Sequence, residues 1–130
     1  TAMKKILVPT DFSENSLNAI RYAVQLFKNE SCNFILLNTY TPIIYQVEYM
    51  EVGAAQYGLL DAMKDASQKG LESTQAKIEA EFKNPNHTFS QISAFNMLVS
   101  EIEQLYENQV MDMIVMGTQG ASGLKEVLFG

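Results

Sequence analysis

Apolar residues in this chain alternate between two rhythms, short unbroken runs and longer stretches with a helical period. Lys5-Ile-Leu-Val-Pro9 is a run of the first kind, and Thr10-Asp-Phe-Ser13 supplies turn residues and a helix N-cap before Glu14. Leu17, Ile20, Val24 and Phe27 then recur at helical spacing, with Asn18, Arg21, Gln25 and Lys28 on the other face. Asn33 to Tyr40 is a second strand whose wholly apolar centre suits an interior parallel strand covered on both faces. Strand, crossover helix and strand make a right-handed βαβ unit.

Between Thr41 and Gly58 the rhythm breaks. Pro42, Ile43, Ile44, Tyr45, Val47, Tyr49, Met50 and Tyr57 carry apolar and aromatic surface without a clean period, which fits either a cover for the core edge or a ligand lid or partner patch. Helical spacing returns from Leu59 to Phe82, with Leu71, Thr74, Ile78 and Phe82 on one stripe and Gly70 as a candidate kink. Asn84-Pro-Asn86 ends that helix, and His87 to Ala94 gives a third strand polar enough for a sheet edge. Asn96 is positioned to cap a third helix carrying Leu98, Ile102 and Leu105 and ending near Asn108; Val110 to Met116 is then a buried strand running into Gly117. The order βαβ, loop, αβαβ predicts one doubly wound α/β domain with a parallel sheet, and such sheets bind ligands beyond the carboxyl ends of their strands.

Two features stand at that end. Glycines at 117, 120, 123 and 130 allow close backbone approach and positive φ, so they serve either an anion nest or simple turns. Asp11, just past the first strand, serves either a ligand or the helix cap. The loop matches neither G-x-x-x-x-G-K-S/T nor G-x-G-x-x-G, there is no G-x-S-x-G elbow, and Ser, Asp and His form no triad.

Composition narrows the partners. The chain has 130 residues, 47% hydrophobic and 18% charged, and no apolar run of bilayer length, which reads as one globular domain with no membrane partner. Its charge of -6 and lack of a basic run argue against polymeric nucleic acid, while backbone amides leave room for a small anion. The single cysteine, Cys32, reads as structural and suits a reducing compartment; His87 reads as a solvated surface residue; no metal-ligand spacing is present. Thr1-Ala2 ahead of Met3 reads as a cloning remnant, and without a signal peptide after it the expected location is the cytoplasm.

Met3-Lys-Lys-Ile-Leu-Val-Pro-Thr-Asp-Phe-Ser13, with Asp112-Met-Ile-Val-Met-Gly-Thr-Gln-Gly120 and Gly130, resembles the universal stress protein family over the whole chain. The nucleotide-binding branch of that family carries G-x2-G-x9-G followed by Ser or Thr, a spacing that Gly117, Gly120 and Gly130 fit. The resemblance implies an adenine nucleotide alpha hydrolase-like sheet of order 3-2-1-4-5 that binds ATP or AMP, with Mg2+ accompanying ATP. It implies Pro9, Thr10 and Asp11 on the adenosine side, Asn38 and Thr39 bordering the base, Met116 and Gly117 flanking the ribose, and Gly120 and Gly130 near the phosphates. Because the sequence stops at Gly130, it also implies a domain over residues 1–130 without the final helix and fifth strand, an open edge on the fourth strand and weak triphosphate binding. A homodimer or a tandem-domain partner is expected. Three functions stay open: a nucleotide-binding regulatory module of the stress response, a slow ATPase or phosphoryl-transfer enzyme using Asp11 and Lys125, and a nucleotide-independent interaction protein using Tyr40 to Tyr57.

Overall fold

A computed structural model of the chain describes residues 3–41, 54–117 and 125–129, with the backbone alone for 54–57 and 125–129. The elements are β1 (Lys4–Pro9), α1 (Glu14–Leu26), β2 (Cys32–Tyr40), α2 (Ala54–Glu81), β3 (His87–Phe95), α3 (Leu98–Glu107), β4 (Met113–Gly117) and β5 (Lys125–Phe129). They build one sheet of order β3-β2-β1-β4-β5. Its first four strands are parallel, in the doubly wound order 3-2-1-4 that the family resemblance implies.

The edge of β4, expected to be open, is covered. Lys125–Phe129 runs antiparallel to β4, pairing Gly117 with Lys125 and Met113 with Phe129. Backbone N–H and C=O groups that an exposed edge would leave to solvent or to another chain are thereby paired.

The unbroken apolar runs follow from helices on both faces. Ile6, Val8, Phe34, Leu36, Met113 and Val115 join one core with Ile20, Ala23 and Val24 of α1, its C-cap Phe27, and Leu71 and Ile78 of α2. The intervening residues Leu7, Ile35, Leu37 and Ile114 point the other way, into a second core with Leu105 and the partly buried Leu98 and Ile102 of α3. Successive strand residues alternate faces, so a strand covered twice must be apolar at every step. Burying each large side chain contributes about 1.5–3 kcal/mol. β3 lies at the edge and keeps its mixed polarity.

Local capping matches the sequence in one place and departs from it in another. Ser13 caps α1, accepting the Ser16 N–H at 3.2 Å. At α3 the N-cap is Met97, not Asn96, and has no side-chain cap bond; Asn96 instead accepts the Met97 N–H and donates to Glu101 Oε1. α3 ends in a Schellman arrangement: Gln109, at φ 57°, donates to the Tyr106 carbonyl, and Val110 donates to that of Leu105. α2 begins at Ala54, five residues before the expected Leu59, and Gly70 lies within a helix that continues unbroken to Glu81.

His87 is not solvated as expected. Its Nε2 bonds to the Phe27 carbonyl at 2.9 Å, its ring meets Phe34 edge-on at 4.9 Å, and Nδ1 is buried without a partner. Because a carbonyl only accepts, Nε2 is the donor in this contact.

Candidate functional site at the carboxyl ends of β1 and β4

Strand order reverses about β1, whose two neighbours lead to crossovers on opposite faces, and the chain leaves β1 at that switch point. Pro9 and Thr10 are buried there. Thr10 donates its N–H to the Leu37 carbonyl at 2.8 Å, and its own carbonyl accepts Asn38 Nδ2 at 2.8 Å, so backbone and side chain of β2 hold the turn together. Asn38 is buried, and this bond meets the requirement that a buried amide find a partner.

The turn is then built from short polar side chains. Asp11 Oδ1 accepts the Ser13 N–H at 3.0 Å, Thr10 Oγ1 accepts the Phe12 N–H at 3.0 Å, and Thr10 Oγ1 meets Ser16 Oγ at 2.9 Å. Hydrogen bonds from the Ser13 side chain and then its backbone hold the Asp11 carboxyl below its ordinary range, against a smaller opposing effect of burial. Asp11 is therefore an exposed, ionised acceptor beside the α1 N-terminus. The helix cap itself is Ser13, which leaves capping to one residue and the carboxylate to its turn.

Gly117 ends β4 on the other side of the switch point. A Cβ there would stand 3.3 Å from the Asn15 carbonyl oxygen and 3.6 Å from Ala19 Cβ, so the first turn of α1 leans directly on this residue. Met116 is half-buried on the α3 face, and the β1–β4 register, Leu7 opposite Ile114, carried forward brings Pro9 level with Met116. Pro9, Thr10, Asp11, Asn38, Met116 and Gly117 are thus gathered around one helix N-terminus. Thr39 lies one step further along β2, opposite Ala94. Gly120 and Gly130 lie outside the described residues, as do 42–53 of the aromatic segment; Phe129, beside Gly130, pairs with the amino end of β4.

Sequence reasoning missed three neighbours. Phe12 adopts φ 69°, Ser16 ties its hydroxyl to Thr10, and Asn15 faces Gly117. Only Ser16 had a signal, its three-residue spacing from the N-cap Ser13. A separate open cleft of about 460 Å³, lined by Lys5, Tyr106, Glu107, Gln109, Met111 and Asp112, lies at the amino ends of β1 and β4, where Lys5 Nζ already donates to the Gln109 carbonyl. Among the described residues no three His, Cys, Asp or Glu side chains group as a metal site, and no helix is long and apolar enough to cross a membrane.

The parallel 3-2-1-4 sheet flanked by helices matches the adenine nucleotide alpha hydrolase-like fold, with the polar turn at its switch point. The universal stress protein family model matches residues 3–130, and the chain belongs to that family. Universal stress protein MJ0531 of Methanocaldococcus jannaschii is 30% identical over 98% of this chain and 71% of its own length. The solved structure of MJ0577 from the same organism superposes with a TM-score of 0.69 at 24% identity, covering 95% of this chain and 80% of that one. A universal stress protein solved in complex with cAMP, 19% identical, superposes with a TM-score of 0.58 over 88% of this chain and 75% of that one.

Proposed function

We propose that this protein is an adenine nucleotide binding module of the stress response, taking ATP or AMP and acting through nucleotide-dependent protein contacts. The observation that carries the reading is the turn Pro9 to Ser13, locked to β2 by Asn38 and set against the α1 N-terminus and Gly117 at the switch point. Asp11 accepts from the adenine amino group or a ribose hydroxyl, Asn38 and Thr39 border the base, Met116 and Gly117 flank the sugar, and Gly120 approaches the phosphates; Gly130, which follows a residue paired with the amino end of β4, is left out of the site. The family complex with cAMP supports an adenine ligand class.

The nucleoside half dominates in this proposal, because the chain before Gly130 runs along β5 away from Gly117. Asp11 is one carboxylate, so Mg2+ arrives with ATP and is held chiefly by its phosphates. A cytoplasmic location, and self-association as a homodimer or pairing with a tandem domain, complete the reading; sedimentation with and without nucleotide tests the assembly.

Calorimetry with ATP and AMP, after mass spectrometry has checked for co-purified nucleotide, tests the binding. Micromolar affinity that falls at least tenfold in Asp11→Ala is the expected result. Absence of heat and of any thermal shift refutes it and leaves the interaction surface. Steady phosphate release abolished by Asp11→Ala would make the protein an ATPase instead.

A further inference from the structure

Two local irregularities meet beside the candidate site. Phe12 holds φ 69°, in the left-handed region where a bulky L residue is strained. Gly70 stands inside the 28-residue helix α2, where glycine is a poor helix former. The Phe12 ring occupies the space a side chain at position 70 would need: a Cβ built there would lie 2.5 Å from Cζ, 2.6 Å from Cε2 and 2.7 Å from Cε1. Only glycine at 70 admits the ring in this place. On its other side Phe12 is tied into the turn, its N–H donating to Thr10 Oγ1. Its torsion therefore lies between Asp11 and Ser13, the two residues joined by the Ser13 N–H donating to Asp11 Oδ1 at 3.0 Å.

We propose that the Phe12–Gly70 contact is a positioning device for the nucleotide site. Helix α2 seats the ring, the seated ring offsets the left-handed strain at Phe12, and that backbone conformation presents Asp11 to the nucleoside. The proposal rests on the adenine nucleotide reading above. A strained residue beside a binding turn persists only where its surroundings hold it; Phe12 is 41% exposed, and the seat of its ring against helix α2 at Gly70 is the contact that this proposal charges with holding it.

The test compares Gly70→Ala, Phe12→Ala, Phe12→Gly and the double variant Gly70→Ala/Phe12→Gly, titrated with AMP and with ATP by calorimetry. Gly70→Ala expels the ring and Phe12→Ala removes it while keeping the strain, so each weakens binding by roughly tenfold, which is about 1.4 kcal/mol. Phe12→Gly adopts the same φ without strain and regains most of the affinity lost in Phe12→Ala. In the Phe12→Gly background, Gly70→Ala adds no more than about twofold, since the ring it displaces is gone. A structural role alone would move the melting temperature without this rescue by glycine. The proposal is overturned if Gly70→Ala binds like the wild type, if Phe12→Gly loses as much as Phe12→Ala, or if Gly70→Ala retains its full effect in the Phe12→Gly background. Exchange of the Phe12 amide, followed by NMR without nucleotide, separates the two levels. Gly70→Ala should speed it; unchanged exchange overturns the positioning contact. A wild type that binds neither AMP nor ATP overturns the nucleotide reading instead.

Discussion

Replacing Asn38 by aspartate removes one hydrogen-bond donor while hardly changing the side chain's shape. In the native protein Nδ2 donates to the Thr10 carbonyl at 2.8 Å, at a position 8% exposed. An ionised carboxylate there cannot donate, leaves the Thr10 carbonyl unpartnered and turns a second acceptor towards it. Orphaning a buried acceptor costs about 1–3 kcal/mol, and the buried charge places Asn38→Asp at the upper end, about 3 kcal/mol at pH 7. With a urea slope of about 2 kcal/mol/M, the unfolding midpoint falls by about 1.5 M. Protonation restores a donor, so the introduced carboxyl has a folded-state pKa above its unfolded value of about 3.9. The repaired bond is then fully present below the unfolded value and lost as pH rises through the folded one. The stability gap to the wild type therefore narrows between pH 7 and pH 4.5. Asn38→Ala, which has nothing to protonate, shows a gap that is flat with pH. A pH-independent gap in Asn38→Asp, or a loss below about 0.5 kcal/mol in both variants, would refute the claim that this amide locks the turn.

Arg21 holds Glu81 by a two-pronged pair, Nε to Oε1 at 2.9 Å and Nη2 to Oε2 at 3.0 Å, and these hydrogen bonds lower the Glu81 pKa. The stability this gives is present above the unfolded carboxyl value and lost as pH falls through the lower folded one. Urea midpoints between pH 7 and pH 3 should show that acid loss in the wild type, and a smaller one in Glu81→Gln. Cys32 is fully buried, and burial first, then the Glu30 charge, pushes its thiol pKa up; a thiol reagent should label it at least a hundredfold faster in denaturant than in the native protein. His87→Gln retains an amide donor able to reach the Phe27 carbonyl, whereas His87→Ala does not, so denaturation should find the alanine variant less stable by about 1 kcal/mol.

Much of the fold was legible because its strongest determinants are local. Continuous apolar runs such as Phe34 to Leu37 announce strands covered on both faces, and the period of Leu17, Ile20, Val24 and Phe27 announces a helix with one buried side. The strand order came from the resemblance to the universal stress protein family, and the facing of the Asp11 turn and the Gly117 end followed once those elements were placed in a doubly wound sheet. Helix ends were less legible. Asn96 has the right chemistry for a cap, yet the backbone turns at Met97, and Gln109 takes the left-handed position where glycine would be the expected signal.

The sequence by itself determined the class of fold and the chain's family, because periodicity and motif spacing are properties of neighbours along the chain. Tertiary structure alone decided what distant residues do to one another. Gly70 reads as a kink until the Phe12 ring is seen in its Cβ position. His87 reads as solvated until its ring is seen bonded to the Phe27 carbonyl and edge-on to Phe34. The β4 edge reads as open until Lys125–Phe129 folds back along it. Each of these rests on a contact between segments dozens of residues apart, or on a chain reversal, whose energy comes from packing and backbone pairing that no local pattern encodes.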